Sequence, residues 1–367
     1  MKKLIVYNLF FLILFSFIFL EFIFPHIFKT PNLKYKFYDN KPYTFYPNLS
    51  LRNVSSEFDI KFKTNKYGFN DNEFQNETDI LILGDSFVEA IQVSKQDHFS
   101  NLIKNEFPKL KINKIGMSSL GNAHYFANYL HYKNKLDPKM VIIFNVPNDI
   151  ENNFCNQNAT QCLTLDEVCK VNNKKQLDSN IKFLKILESN FYFNYIRNNE
   201  QEFLKSVNYN SLKHKIYVNI LYKFQTYHSL RKIKSMVLKK RIIEHNKKDA
   251  LKKGKCKFFS DNIYARNYYN QINKLLYDQI NKVDKKKILF VNVNYRKSNK
   301  INHDEIFIRE QFKINNYPHI NLLDNFSEDY NNSYRSAFFE IDGHWNKKGH
   351  KVVANALINY LKNIKLD

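Results

Sequence analysis

The sequence predicts an α/β fold: a parallel sheet with helices on its faces, a helical insertion within it and a transmembrane helix ahead of it. Three observations point there. Short apolar runs alternate with helical stretches over residues 76–150 and again over 285–367, the order that builds parallel sheets. A polar, basic stretch, 151–284, interrupts the alternation. An almost wholly apolar run, Leu4 to Phe24, opens the chain.

That opening run has the length of a bilayer core, since 21 residues at ~1.5 Å each reach ~31 Å. Glu21 is its only charge and lies near one end. A cleavable signal peptide has a shorter apolar core and a small-residue cleavage site, whereas Pro25-His26-Ile27-Phe28 follows here. The expectation is an uncleaved signal anchor over 4–24. Lys2 and Lys3 favour a cytoplasmic N-terminus, although Lys29, Lys34 and Lys36 weaken the asymmetry. The domain is then expected outside the cytoplasm, on the periplasmic or extracellular side.

Residues 25–75 form a polar, Tyr-rich, turn-rich segment with strand-like runs such as Phe58 to Phe62. The α/β units follow. Asp79 to Leu83 reads as a buried strand, Phe99 to Phe107 as a helix and Lys111 to Met117 as a strand. His124 to Lys135 reads as a helix and Met140 to Val146 as a third strand. Within the insertion, Ile216, Ile220, Phe224, Tyr227, Leu230, Ile233 and Val237 recur at helical spacing among many lysines. This stripe packs on the domain or forms a cap near the membrane surface. Strands resume at Lys287 to Asn294 and His319 to Leu323, and Val352 to Leu361 is a closing amphipathic helix.

Composition narrows the classes. With 44% hydrophobic residues among 367, a sizeable core is available and global disorder is excluded. Lys and Arg number 57 against 35 Asp and Glu, a formal +22, which suits an anionic partner. The codon bias of an AT-rich genome produces the same excess. An anchored domain outside the cytoplasm does not meet cytoplasmic nucleic acid, so no nucleic-acid partner is expected. Cys155, Cys162, Cys169 and Cys256 include no C-x-x-C pair, which argues against zinc. Disulfides are permitted outside the cytoplasm, and free thiols fit equally well. His344 and His350 are six apart, a poor fit to one helix face for metal binding.

Three motifs carry chemistry. Gly84-Asp85-Ser86-Phe87 follows the first buried strand. A strand that turns into a helix places the turn residue at the sheet's C-terminal edge, where ligands bind in open α/β sheets. Helix-start N–H groups there favour developing negative charge. Ser86 is well sited to attack a carbonyl but needs a base. Asp342-Gly343-His344-Trp345-Asn346 supplies one: His344 takes the proton and Asp342 fixes its tautomer. Asn346 reads as the N-cap of the last helix. The third strand ends in Val146-Pro147-Asn148-Asp149, and the Asn148 amide can donate to an oxyanion. Asp85 and Asp149 read as loop braces, and His124 and His350 as structural or surface residues. A nucleophile elbow of the G-x-S-x-G type is excluded by Val88.

These blocks resemble the SGNH (GDSL) hydrolase family, over roughly 65–150 and 285–367. Gly84-Asp85-Ser86 matches the first block, Asn148-Asp149 the third and Asp342-Gly343-His344 the last, with Asn65-Lys66-Tyr67-Gly68-Phe69 similar to an element preceding the first block in extracytoplasmic bacterial members. The resemblance implies a flavodoxin-like three-layer α/β/α fold, no metal and no organic cofactor. It implies activity on esters of lipids, acylated sugars or O-acetylated polysaccharides. Its second block offers a glycine N–H to the oxyanion, and counting from Asn113 places Ser118 there; Gly116 or Gly121 is the equivalent in another register. The last block is Asp-x-His rather than Asp-x-x-His, which leaves open a Ser86–His344 dyad supported by a backbone carbonyl.

The reading is a serine esterase acting on a cell-envelope glycan or lipid, with Ser86, His344 and Asp342 as triad and the Ser86 N–H, the Ser118 N–H and Asn148 as oxyanion hole. An O-acyltransferase to a polysaccharide hydroxyl is the first alternative. A non-catalytic glycan-binding or scaffold module on the same fold is the second.

Overall fold

The structure is a computed structural model that describes residues 2–28, 30–36, 42–153, 224–230, 233, 263–293, 303–327 and 335–364. The four cysteines lie outside the described residues, as do Ile216, Ile220 and Val237 of the stripe; of its described members, Phe224 and Leu230 are exposed.

A continuous helix opens the chain: α1 (Lys2–Ile18), a π-helical turn (Phe19–Ile23) and α2 (Phe24–Ile27). Its segment Lys3–Ile23 is long and apolar enough to cross a membrane, and none of it is buried in the protein. The Glu21 carboxylate caps the helical turn at 225–230, accepting from the Gln225 N–H at 2.9 Å and the Thr226 hydroxyl at 2.7 Å. Ser229 donates to the Leu20 carbonyl at 2.7 Å. The charge of the apolar run is thus satisfied by the insertion.

Two antiparallel pairs come next, β1 (Tyr35–Lys36) with β2 (Thr44–Phe45) and β3 (Ser50–Val54) with β4 (Asp59–Lys63). The main sheet comprises β5 (Ile80–Gly84), β6 (Ile112–Gly116), β7 (Met140–Asn145), β8 (Lys287–Asn292) and β9 (His319–Asn321). Its order is β6-β5-β7-β8-β9 and every pairing is parallel. This is the flavodoxin-like order, with its switch point between β5 and β7.

Alternation along the strands makes two cores. Ile80, Ile82, Ile142 and Phe144 face one layer, built with α4 (Phe99–Glu106), α9 (Leu322–Ser327) and α10 (Lys347–Lys362). Leu81, Leu83, Val141 and Ile143 face the other, built with α5 (Asn122–Leu136), α7 (Ile263–Tyr277) and α8 (His303–Ile314). Two short helices, α3 (Ser86–Glu89) and α6 (Asp149–Asn152), follow β5 and β7.

Several boundaries differ from the sequence expectation. Tyr269, Ile272 and Leu276 of α7 lie in the domain core, although they fall within the stretch 151–284 read as insertion. Phe45, Leu51, Phe62, Phe69 and Phe74 of the 25–75 segment join the same core. The last strand stops at Asn321 because Leu322 begins α9. The closing helix starts five residues earlier than expected, at Lys347, since Asn346 caps it by accepting the Lys348 and Gly349 N–H groups.

Candidate active site

Ser86 and Asn148 stand on either side of the switch point, after β5 and β7. Ser86 is the first residue of α3, a single turn that ends at Ala90 in the left-handed region (φ 48°). The Asp85 side chain caps this turn, accepting the Phe87 N–H at 3.0 Å. Its far end is held as firmly. Lys114 Nζ donates to the Val88 and Glu89 carbonyls at 3.0 and 3.2 Å, and Asn70 Nδ2 to the Glu89 carbonyl at 3.0 Å. Burial pushes the Lys114 ammonium down to about 7.

The structure brings the three triad candidates together. Ser86 Oγ lies 2.7 Å from His344 Nε2, and His344 Nδ1 lies 2.6 Å from Asp342 Oδ1. The chain supplies these partners 258 residues apart. Asp342 therefore faces the imidazole directly despite the short Asp-x-His spacing. Gly343 makes this possible at φ 83°, a left-handed conformation that suits glycine. The loop is a tight hairpin: Phe338 bridges Trp345, Phe339 N–H donates to the His344 carbonyl at 2.9 Å and Gly343 N–H to the Phe339 carbonyl at 3.0 Å. Phe87 packs on both His344 and Trp345, with centroids 4.8 and 4.7 Å away.

Asp85 is wholly buried and accepts from Ser86 Oγ at 3.3 Å and from Asn148 Nδ2 at 3.5 Å. Burial raises its carboxyl above the usual range. The Asn148 amide thus points to the Ser86 side of the switch point. Asp149 braces its loop, accepting the Val146 N–H and the Tyr125 hydroxyl, both at 2.9 Å. Among the described residues nothing accepts the Ser86 N–H.

The second-block residues stand differently. Ser118 is turned onto Glu89: its hydroxyl donates to that carboxylate and its N–H faces it, while its carbonyl accepts from the Tyr43 hydroxyl. Burial raises Glu89 to about 7. Gly121 is the N-cap of α5 and gives its N–H to His124 Nδ1 at 3.2 Å. Gly116 serves close approach, since a Cβ there would sit 2.3 Å from Glu89 N. His350 is buried, stacked on Phe99, and accepts the Phe99 N–H. Among the described residues no group of three or more His, Cys, Asp or Glu is placed to hold a metal ion. Sequence reasoning missed Glu89 and Lys114. Their signal, Glu three after Ser86 and Lys within a buried strand, has meaning only once β5 and β6 are paired.

No family model matches the chain, and no curated protein does. Solved structures similar to it include a member of the lipolytic protein G-D-S-L family from Veillonella parvula, 8% identical, covering 78% of this chain and 98% of its own, at a TM-score of 0.39. An acetylxylan esterase from Geobacillus stearothermophilus is 11% identical over 80% of this chain and 97% of its own, at 0.37. A lipase/acylhydrolase from Enterococcus faecalis is 12% identical over 77% and 95%, at 0.36. These likenesses are faint, and the chemistry rests on the site's own geometry.

Proposed function

We propose that the chain is a serine esterase of the SGNH/GDSL type that works through an acyl-enzyme. The observation that carries this is the unbroken relay from Ser86 Oγ through His344 to Asp342, with contacts of 2.7 and 2.6 Å. Ser86 Oγ attacks the ester carbonyl as His344 Nε2 takes its proton, and Asp342 stabilises the imidazolium. The carbonyl oxygen becomes an oxyanion held by the Ser86 N–H and the Asn148 amide. The Ser118 N–H, which faces the Glu89 carboxylate, is the third candidate donor. His344 then protonates the leaving alkoxide as the C–O bond breaks. Water, deprotonated by His344, attacks the acyl-enzyme; the acyl–Ser86 Oγ bond breaks, His344 returns the proton to Ser86 Oγ, and the acid is released. A sugar hydroxyl in place of that water makes the same chain an O-acyltransferase.

The substrate class is an acyl or acetyl ester on a cell-envelope glycan or lipid. The apolar helix Lys3–Ile23 supports a membrane anchor with the domain outside the cytoplasm. Membrane fractionation and digestion by protease added outside spheroplasts test that placement; a protected domain overturns it. The chemistry is tested by labelling with a fluorophosphonate probe and by turnover of p-nitrophenyl acetate. Ser86→Ala and His344→Ala should each abolish labelling and lower turnover by roughly 10³ or more. Near-normal turnover in either folded variant refutes the triad.

A further inference from the structure

The hairpin 338–345 leaves three consecutive backbone N–H groups without a partner inside the turn. Phe339 and Gly343 spend their N–H groups within the turn. The three consecutive N–H groups of Glu340, Ile341 and Asp342 point the other way. All three meet one side chain, Glu57: the Glu340 N–H donates to Oε1 at 2.6 Å, and those of Ile341 and Asp342 to Oε2 at 3.1 and 2.8 Å. Successive backbone N–H groups of this kind form a concave anion site. Hydrogen bonds to a charged acceptor are stronger than neutral ones.

Glu57 reaches this nest from far away in sequence, at the tip of the β3–β4 hairpin. That tip is rigid. Ser55 Oγ accepts the Glu57 and Phe58 N–H groups at 3.0 and 3.3 Å, and Ser55 N–H donates to the Phe58 carbonyl at 2.9 Å. The strands behind it are tied by Arg52, whose Nε and Nη2 each lie 2.6 Å from an Asp59 oxygen. Phe58 sits edge-on to Phe339, with centroids 5.1 Å apart. A groove of about 730 Å³ opens there, with Phe58, Val93, Leu102 and Phe339 in its lining, and Ile341 is 73% exposed.

We propose that Glu57 is a positioning residue for the base: its carboxylate, seated in the 340–342 nest, fixes the turn that aims Asp342 at His344. This rests on the triad reading above. The carboxylate touches no reacting atom. It holds the Asp342 main chain while the Asp342 side chain holds His344 Nδ1, so the relay begins at residue 57. Removing it frees three N–H groups to water and lets a half-exposed loop sample orientations in which His344 no longer meets Ser86.

The test uses the full chain in detergent. Fluorophosphonate labelling of the wild type comes first; absence of labelling refutes the triad reading itself. With labelling established, Glu57→Ala should lower kcat and the labelling rate roughly 10- to 100-fold, as expected for loss of alignment, with KM within about twofold as for a change outside ground-state binding. Glu57→Gln, which keeps an acceptor oxygen but no charge, should fall between. Formate should restore part of the Glu57→Ala rate by occupying the nest, and chloride at equal ionic strength should not. Wild-type kcat in Glu57→Ala overturns the proposal. So does a loss that formate leaves unchanged and that tracks a lowered melting temperature, since that marks a merely structural contact. Should Glu57→Ala fail to fold, Glu57→Gln decides, and a wild-type rate there overturns it.

Discussion

Gly116→Ala should disable the proposed esterase activity without touching Ser86, His344 or Asp342. Gly116 ends β6 beneath α3. A Cβ there would lie 2.3 Å from Glu89 N and 2.6 Å from the Val88 carbonyl carbon. Both are backbone atoms, so no rotamer change relieves the clash. Ordinary contact begins near 3.4 Å, so α3 or β6 must retreat by about 1 Å in a core packed at crystal density. Ser86 is on the same single turn as Glu89, and its contact with His344 is 2.7 Å. Misplacing a reacting group by about 1 Å costs on the order of 10²-fold, or about 2.7 kcal/mol of barrier. Overpacking itself should cost roughly 1–3 kcal/mol of stability. The assay is kcat/KM on p-nitrophenyl acetate, with the labelling rate and a thermal melt on the same preparation. Alanine keeps its N–H, so a loss cannot reflect a missing hydrogen-bond donor. A variant with a lowered melting temperature but kcat/KM within about threefold of wild type would refute the reasoning, because α3 would then have held its place while β6 moved.

Two further perturbations separate chemistry from packing. Asn148→Ala should cut kcat by roughly 10²–10³ with little change in KM, as for loss of an oxyanion donor; a variant destabilised by about 1 kcal/mol but catalytically normal would make Asn148 a turn residue instead. His350 is buried and held down to about 3 by burial, with the Lys114 and His344 charges also lowering it and Asp97 opposing them. Its folded pKa is below the unfolded value of about 6.5, so its contribution is intact above pH 6.5 and is lost as the pH falls toward 3. His350→Phe should flatten the fall in melting temperature across that window, and an unchanged slope would contradict this.

Much of the fold was legible because the sheet is buried on both faces. Strands in that setting are continuous apolar runs, and Ile80 to Leu83 and Met140 to Phe144 announce themselves as such. Alternating registers then divide them between the two cores, Ile80 and Ile82 to one and Leu81 and Leu83 to the other. The helix caps were legible for a local reason: Asn346 carries its own acceptor to the first turn of α10. The meeting of Ser86, His344 and Asp342 was legible because these residues stand at strand ends and helix starts, positions fixed by short-range pattern. Even the Asp-x-His spacing, which left a dyad open, resolves once Gly343 takes up its left-handed turn and brings Asp342 against His344.

What escaped the sequence are the contacts between segments with no local signature. Residues 25–75 read as a polar, turn-rich segment, because Phe45, Leu51 and Phe62 are too sparse to define a face until the sheet they cover exists. Tyr269, Ile272 and Leu276 read as part of a basic insertion for the same reason. Counting five residues on from Asn113 reaches Ser118 but does not reveal that Glu89 reaches across from α3 to hold it. Glu57 is the sharpest case. In sequence it is one acid in a Ser-rich turn, 285 residues before Asp342, whose N–H it accepts at 2.8 Å. Its meaning appears only when the 338–345 hairpin leaves three N–H groups facing one point, a demand set by the geometry of a turn and answered by a residue far away in the sequence.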